Sequence, residues 1–127
     1  MEKNIIRTDK APAPIGPYNQ AVQVGNMLFV SGQIALDPTD GSLHEGDVKS
    51  ETEIVMKNLH AILQAAGMDF RNVVKTSIFL MDMGKFAEVN EVYGRYFENE
   101  TAPARETIQV AGLPKGVQVE ISVIAAK

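Results

Sequence analysis

The sequence predicts an α+β domain in the order β-β-β-α-β-α-β-β, with two helices on one face of a mixed sheet. Three observations carry this. Apolar residues recur at helical spacing in two segments only. Runs rich in β-branched residues surround those segments, bounded by Gly and Pro. The length of 127 residues corresponds to one ordinary domain, here residues 1–127 as a single unit. Hydrophobic residues at 45% and charged residues at 22% fit a globular chain and neither a disordered nor a coiled-coil one.

Ile5-Ile6 begins a short strand, which the stretch from Ala11 to Pro17 stops; Pro12, Pro14 and Pro17 fix φ and remove backbone donors, giving a semi-rigid extended loop. Strands at Gln20–Val24 and Met27–Leu36 flank Gly25-Asn26, a pair suited to a type II′ hairpin turn. Asp37 to Gly46 reads as a turn-rich loop. From Asp47 to Ala66 the residues Val55, Leu59, Ile62, Leu63 and Ala66 share one helical face; Ser50 with Glu53 forms a candidate capping box, and Gly67 suits the left-handed residue after the helix. Val73–Met81 is a buried strand. Asp82 offers a cap for a second helix running to about Glu98 on Phe86, Val89, Tyr93 and Phe97, with Gly94 inside it and a close packing contact as its rationale. Arg105–Val110 and Val117–Ala126 are the last strands, around a Gly112–Gly116 loop.

Two helices cover one sheet face and leave the other to water or to another subunit. In the last strand both alternating sets contain apolar residues, Val117, Val119, Ile121, Val123 and Ala125 against Gln118, Glu120, Ser122 and Ile124. Oligomerisation is therefore expected.

The composition removes many functions. Twelve Lys and Arg against sixteen Asp and Glu give a net charge of −4, so no nucleic-acid partner is expected. Without cysteine there is no disulfide, thiolate metal site or thiol nucleophile, and no paired-histidine motif or carboxylate cluster at metal spacing occurs. His44 and His60 read as surface or helix-boundary residues, and no phosphate loop, dinucleotide fingerprint or nucleophile elbow occurs. No run long enough to span a bilayer and no basic-then-apolar start is seen, so no membrane partner and a cytoplasmic location are expected.

One anomaly remains. Arg105 opens a strand whose alternation places Arg105, Thr107 and Gln109 on one face and Glu106 on the other; Glu120 is the only charge between Val117 and Ala126. If the last two strands form a hairpin with Val110 opposite Val117, Thr107 faces Glu120 and Arg105 lies diagonal to it. Such a pair is either a structural salt bridge or a small site for an organic acid. In the second reading the guanidinium fork grips a carboxylate and Glu120 positions water or moves a proton.

Several segments resemble one family. Pro14-Ile15-Gly16-Pro17-Tyr18 with Asn19-Gln20-Ala21, Phe29-Val30-Ser31-Gly32-Gln33-Ile34, Asn90-Glu91-Val92-Tyr93, Pro103-Ala104-Arg105, and Gly112-Leu113-Pro114-Lys115 leading to Val119-Glu120-Ile121 are similar, in order and spacing, to the RidA (YjgF/YER/UK) family. The resemblance spans nearly the whole chain. It implies a chorismate-mutase-like fold, a homotrimer with the uncovered sheet face inward and clefts between subunits, and no cofactor. It also implies hydrolytic deamination of reactive enamine/imine intermediates, 2-iminobutanoate and 2-iminopropanoate, to 2-oxo acids and ammonia. The partners implied are these 2-imino and 2-oxo carboxylates.

By position, Arg105 resembles the family's carboxylate-binding arginine and Glu120 its water-positioning acid. Tyr18 corresponds to a tyrosine closing the cleft, Asn90 to a polar rim residue, and Ser31 and Gly32 to the pocket lining, with Thr107 on the substrate face. Each has a plainer alternative: Tyr18 packing at an interface, Asn90 on a helix surface, Ser31-Gly32 as a bulge. Glu106 stands where the family usually has a small residue and Thr107 where some members have Cys; alternation turns Glu106 away from the substrate face. Two other classes compete: an endoribonuclease, which the charge disfavours, and a non-catalytic ligand-binding or chaperone-like module using the same cleft.

Overall fold

The computed structural model describes residues 1–127. The chain folds as β1 (Asn4–Ile6), β2 (Ala21–Val24), β3 (Met27–Gln33), α1 (Val48–Ala65), β4 (Val73–Leu80), α2 (Phe86–Gly94), β5 (Ala104–Gln109) and β6 (Val119–Ala126), the predicted order. One six-stranded sheet runs β1-β2-β3-β6-β4-β5; every pairing is antiparallel except β4 with β5. Both helices lie on the same face.

The core forms where these layers meet. Val55, Leu59, Ile62 and Leu63 of α1 are fully buried, as are Ile78 of β4, Val89 of α2 and Val119 and Ile121 of β6. Each large aliphatic side chain so placed contributes about 1.5–3 kcal/mol by leaving water. Gly25 takes a φ of 59° while Asn26 does not turn positive, which fits the predicted type II′ turn, and Gly67 at φ 72° follows α1 as expected. No helix is long and apolar enough to cross a membrane.

Local details depart from the sequence reading in three places. The cap of α1 is Asp47, whose carboxylate accepts from Ser50 N–H; Ser50 sits in the first turn, and Glu53 instead receives the Tyr96 hydroxyl. The second helix ends at Gly94, short of Glu98, and Phe97 packs after it against Tyr93 and Phe70. Gly94 therefore closes the helix, and a Cβ there would meet nothing within 4 Å, so no packing contact demands glycine.

The larger correction concerns the last two strands. They do not pair. β6 runs between β3 and β4, while β5 lies parallel to β4 at the sheet edge. The physical reason lies in the order strand–helix–strand: a helix between two neighbouring strands carries the chain back to the same end and makes them parallel. β6, whose core-facing residues are buried, takes the centre, and the polar strand Ala104–Gln109 takes the edge.

Candidate active site

Glu120 projects from β6 onto the sheet face that carries no helix, since its neighbours Val119 and Ile121 are buried beneath α1 and α2. Opposite it, β3 bulges between Val30 and Gln33, so Ser31 and Gly32 bend out of register. The bulge is thus real, and it shapes the site. A Cβ on Gly32 would lie 2.7 Å from a Glu120 carboxylate oxygen, so glycine alone lets the Glu120 side chain rest there. Partial burial pushes the Glu120 carboxyl above its ordinary pKa, and Glu120 makes no ion pair.

The proline-rich loop walls the same cleft. Gln20, 3% exposed, holds it: its amide donates to Thr8, Ala11 and Pro12 carbonyls and accepts from Thr8 N–H at 2.8 Å. Ser31 donates its hydroxyl to Asn19 O at 2.5 Å, fastening the loop's end to the bulge. Tyr18 stands half exposed above. Together with Pro114 and Lys115, these residues bound a cleft of about 430 Å³ with Glu120 at its wall.

Arg105 occupies a different place. It is in register with Thr76 of β4, fully buried under the helices, and so points to the helix-bearing side. Its guanidinium lies 5.4 Å from the Phe86 ring centre and 5.1 Å from that of Tyr93, and it donates to Asn90 Oδ1 at 2.7 Å. Two aromatic faces and one amide oxygen hold the fork in place while leaving it exposed. Asn90 is therefore a partner of Arg105 and not a bare helix-surface residue. The hollow beside them, also about 430 Å³, includes Asn90, Tyr93, Gly94 and Pro103.

Within one chain the structure thus joins Tyr18, Ser31, Gly32 and Glu120 in one cleft and Arg105 with Asn90 in another. The predicted approach of Arg105 and Thr107 to Glu120 fails, because β4 stands between their strands and their side chains leave opposite faces. Thr107 does share Arg105's face. Its hydroxyl is shielded from water and has no hydrogen-bond partner, though it does not line the Arg105 hollow. Another hollow of about 490 Å³, lined by Phe70, Arg95 and Tyr96 among others, contains neither Arg105 nor Glu120.

The sequence model of the endoribonuclease L-PSP family matches residues 8–127. The chain belongs to this family, the RidA family of the sequence resemblance. It is 55% identical to protein DfrA of Myxococcus xanthus, over 98% of this chain and 96% of that one. It is 52% identical to the 2-iminobutanoate/2-iminopropanoate deaminase of Mus musculus, over 98% of this chain and 92% of that one. The crystal structure of RidA from the Antarctic bacterium Psychrobacter superposes with a TM-score of 0.92 at 45% identity, covering 98% and 99% of the two chains.

Glu106, where the sequence resemblance implies a small residue, faces away from Arg105. It points to the uncovered face, where its carboxylate pairs with Lys75 at 2.9 Å and accepts from Ser77; these contacts hold it below its usual pKa. Sequence reasoning gave no role to two further residues. Glu51 of α1, 4% exposed, accepts from Gln118 N–H at 2.8 Å and Val119 N–H at 2.9 Å, and so fixes the start of the strand that carries Glu120. Lys115 has φ 57° and ψ 16°, a left-handed conformation costing a non-glycine residue roughly 1–2 kcal/mol. A Pro followed by a bulky residue and Gly was the readable sign of the second; nothing in the sequence marks the first.

Proposed function

We propose that the protein is a metal-independent hydrolase that deaminates 2-iminobutanoate, 2-iminopropanoate and similar imines to 2-oxo acids and ammonia in the cytoplasm. The observation that carries this reading is the division of the site: a held but exposed guanidinium on one surface and a half-buried carboxylate of raised pKa on another. Each is half of what an imino acid requires. The exposed apolar residues of the uncovered sheet face, Phe29 and Ile108, support association of copies that would bring the halves together. A homotrimer with this face inward and three intersubunit clefts is the assembly proposed.

In each cleft Arg105 of one subunit grips the substrate carboxylate with its two-pronged fork, beside Asn90, with Thr107 packed behind it on the same strand face. Glu120 of the neighbour, with Tyr18, Ser31 and Gly32 around it, holds a water against the iminium carbon. That carbon is already electrophilic, so positioning and a single group that shuttles protons suffice. Water adds its oxygen to carbon while Glu120 takes the proton. Glu120 then returns that proton to nitrogen; as the carbon–nitrogen bond breaks, the hydroxyl gives its own proton to Glu120, the carbonyl of the 2-oxo acid forms, and ammonia leaves, taking up that proton.

Coupling an amino-acid oxidase or a threonine dehydratase to the protein and following imine loss tests the reading. Accelerated loss with wild type and none with Arg105→Ala is expected; equal loss in both would refute it. An RNA-cleaving role finds less support, since Lys49, Arg71, Lys75 and Arg95 are tied up in ion pairs and net charge is −4.

A further inference from the structure

Lys115 is a residue whose backbone asks for another amino acid. Gly116 N–H donates to Leu113 O at 3.1 Å, closing a turn with Pro114 second and Lys115 third. Proline followed by a positive φ is the pattern of a type II turn, whose third position favours Gly or Asn. A lysine held there against preference points to its side chain, because strained conformations gather where function over-determines them.

The surroundings say what the side chain does. Lys115 lines the Glu120 cleft, and among the lining residues it is the sole cation and Glu120 the sole anion. None of the chain's ion pairs engages Lys115. The residue itself is exposed. A 2-imino carboxylate entering this cleft brings a negative charge towards the Glu120 carboxylate, and an unpaired ammonium at the same wall offsets that repulsion.

We propose that Lys115 is a specificity-determining residue that draws the carboxylate of an anionic substrate into the Glu120 cleft and leaves the chemical step to other groups. The inference rests on the deaminase reading for the identity of the substrate. Its recruiting role is electrostatic, so it acts on KM and weakens with salt.

The test compares wild type with Lys115→Gly, Lys115→Asn and Lys115→Arg. Gly and Asn suit the turn, so both should unfold at a higher temperature than wild type. They should nevertheless raise KM for the imine about 3- to 10-fold with kcat within about twofold, and show a weaker rise of KM with sodium chloride than wild type, Arg105 retaining the rest. Lys115→Arg should keep the wild-type KM and its salt response. A Lys115→Gly protein with wild-type KM and wild-type salt dependence overturns the proposal. Calorimetric binding of 2-oxobutanoate separates the two readings. If wild type hydrolyses no imine but binds 2-oxobutanoate in a Lys115-dependent, salt-sensitive way, the deaminase reading falls and this one stands. Equal binding by wild type and Lys115→Gly sinks it in either case.

Discussion

Arg105 and Glu120 leave opposite faces of the same sheet with β4 between their strands. Arg105 is level with Thr76, and Glu120 with Phe79 three residues further along. At normal strand spacing and rise their backbones are about 14 Å apart. No rotamer brings the two side chains to one small substrate within a single chain. A site that uses both must take them from two copies.

The first prediction concerns the shape of Arg105. Lysine at this position keeps the charge but loses the fork, the hydrogen bond to Asn90 and the stacking on Phe86 and Tyr93. Imine hydrolysis by Arg105→Lys should fall at least 10-fold in kcat/KM while the unfolding midpoint shifts little, because the residue is exposed. Steady-state kinetics beside thermal denaturation checks this. Undiminished activity would remove Arg105 from the site.

Glu120 should trade stability for activity. Burial raises its folded pKa above the unfolded value, so between the two values the folded state binds more protons. Its contribution is most favourable below the unfolded pKa and is lost as pH rises through the folded one. Glu120→Gln removes that loss and should make the protein more stable at neutral pH. The same change should lower kcat about 10²- to 10⁴-fold and abolish the acidic limb of the pH–rate profile, which wild type should show above the ordinary glutamate range. A variant less stable than wild type at pH 8, or one keeping that limb, contradicts the assignment.

Glu51 anchors the entry to β6. Alanine there strands the buried N–H groups of Gln118 and Val119 and should cost about 2–4 kcal/mol of folding stability. Glutamine keeps one acceptor oxygen and should cost less than half as much. Urea denaturation of Glu51→Ala and Glu51→Gln measures both; equal losses would mean that packing, not the hydrogen bonds, holds the strand.

The helices and most strands were legible because each follows its own period. Leu59 and Ile62 mark the buried face of α1, and Gly25 and Gly67 mark turns that need a positive φ. What a local reading misplaced was the partner of β5. The Ala111–Gly116 loop permits a hairpin but is long enough for other routes, and helix α2 between β4 and β5 dictates a parallel neighbour, a constraint visible only when three elements are read together. The face assignments of Arg105, Thr107 and Glu106 came out as alternation predicts. Glu51 and the hold of Gln20 on the proline loop were not legible, since both act across contacts remote in sequence.

Subunit mixing tests the central claim most directly. Arg105→Ala and Glu120→Gln, each nearly inactive alone, are unfolded together at equal concentration and refolded. If every cleft takes Arg105 from one copy and Glu120 from the next, random assembly leaves an intact pair in roughly a quarter of the clefts, and that fraction of wild-type imine hydrolysis should return. Refolded mixtures that form mixed oligomers but recover no activity above the two variants alone would contradict a site shared between copies.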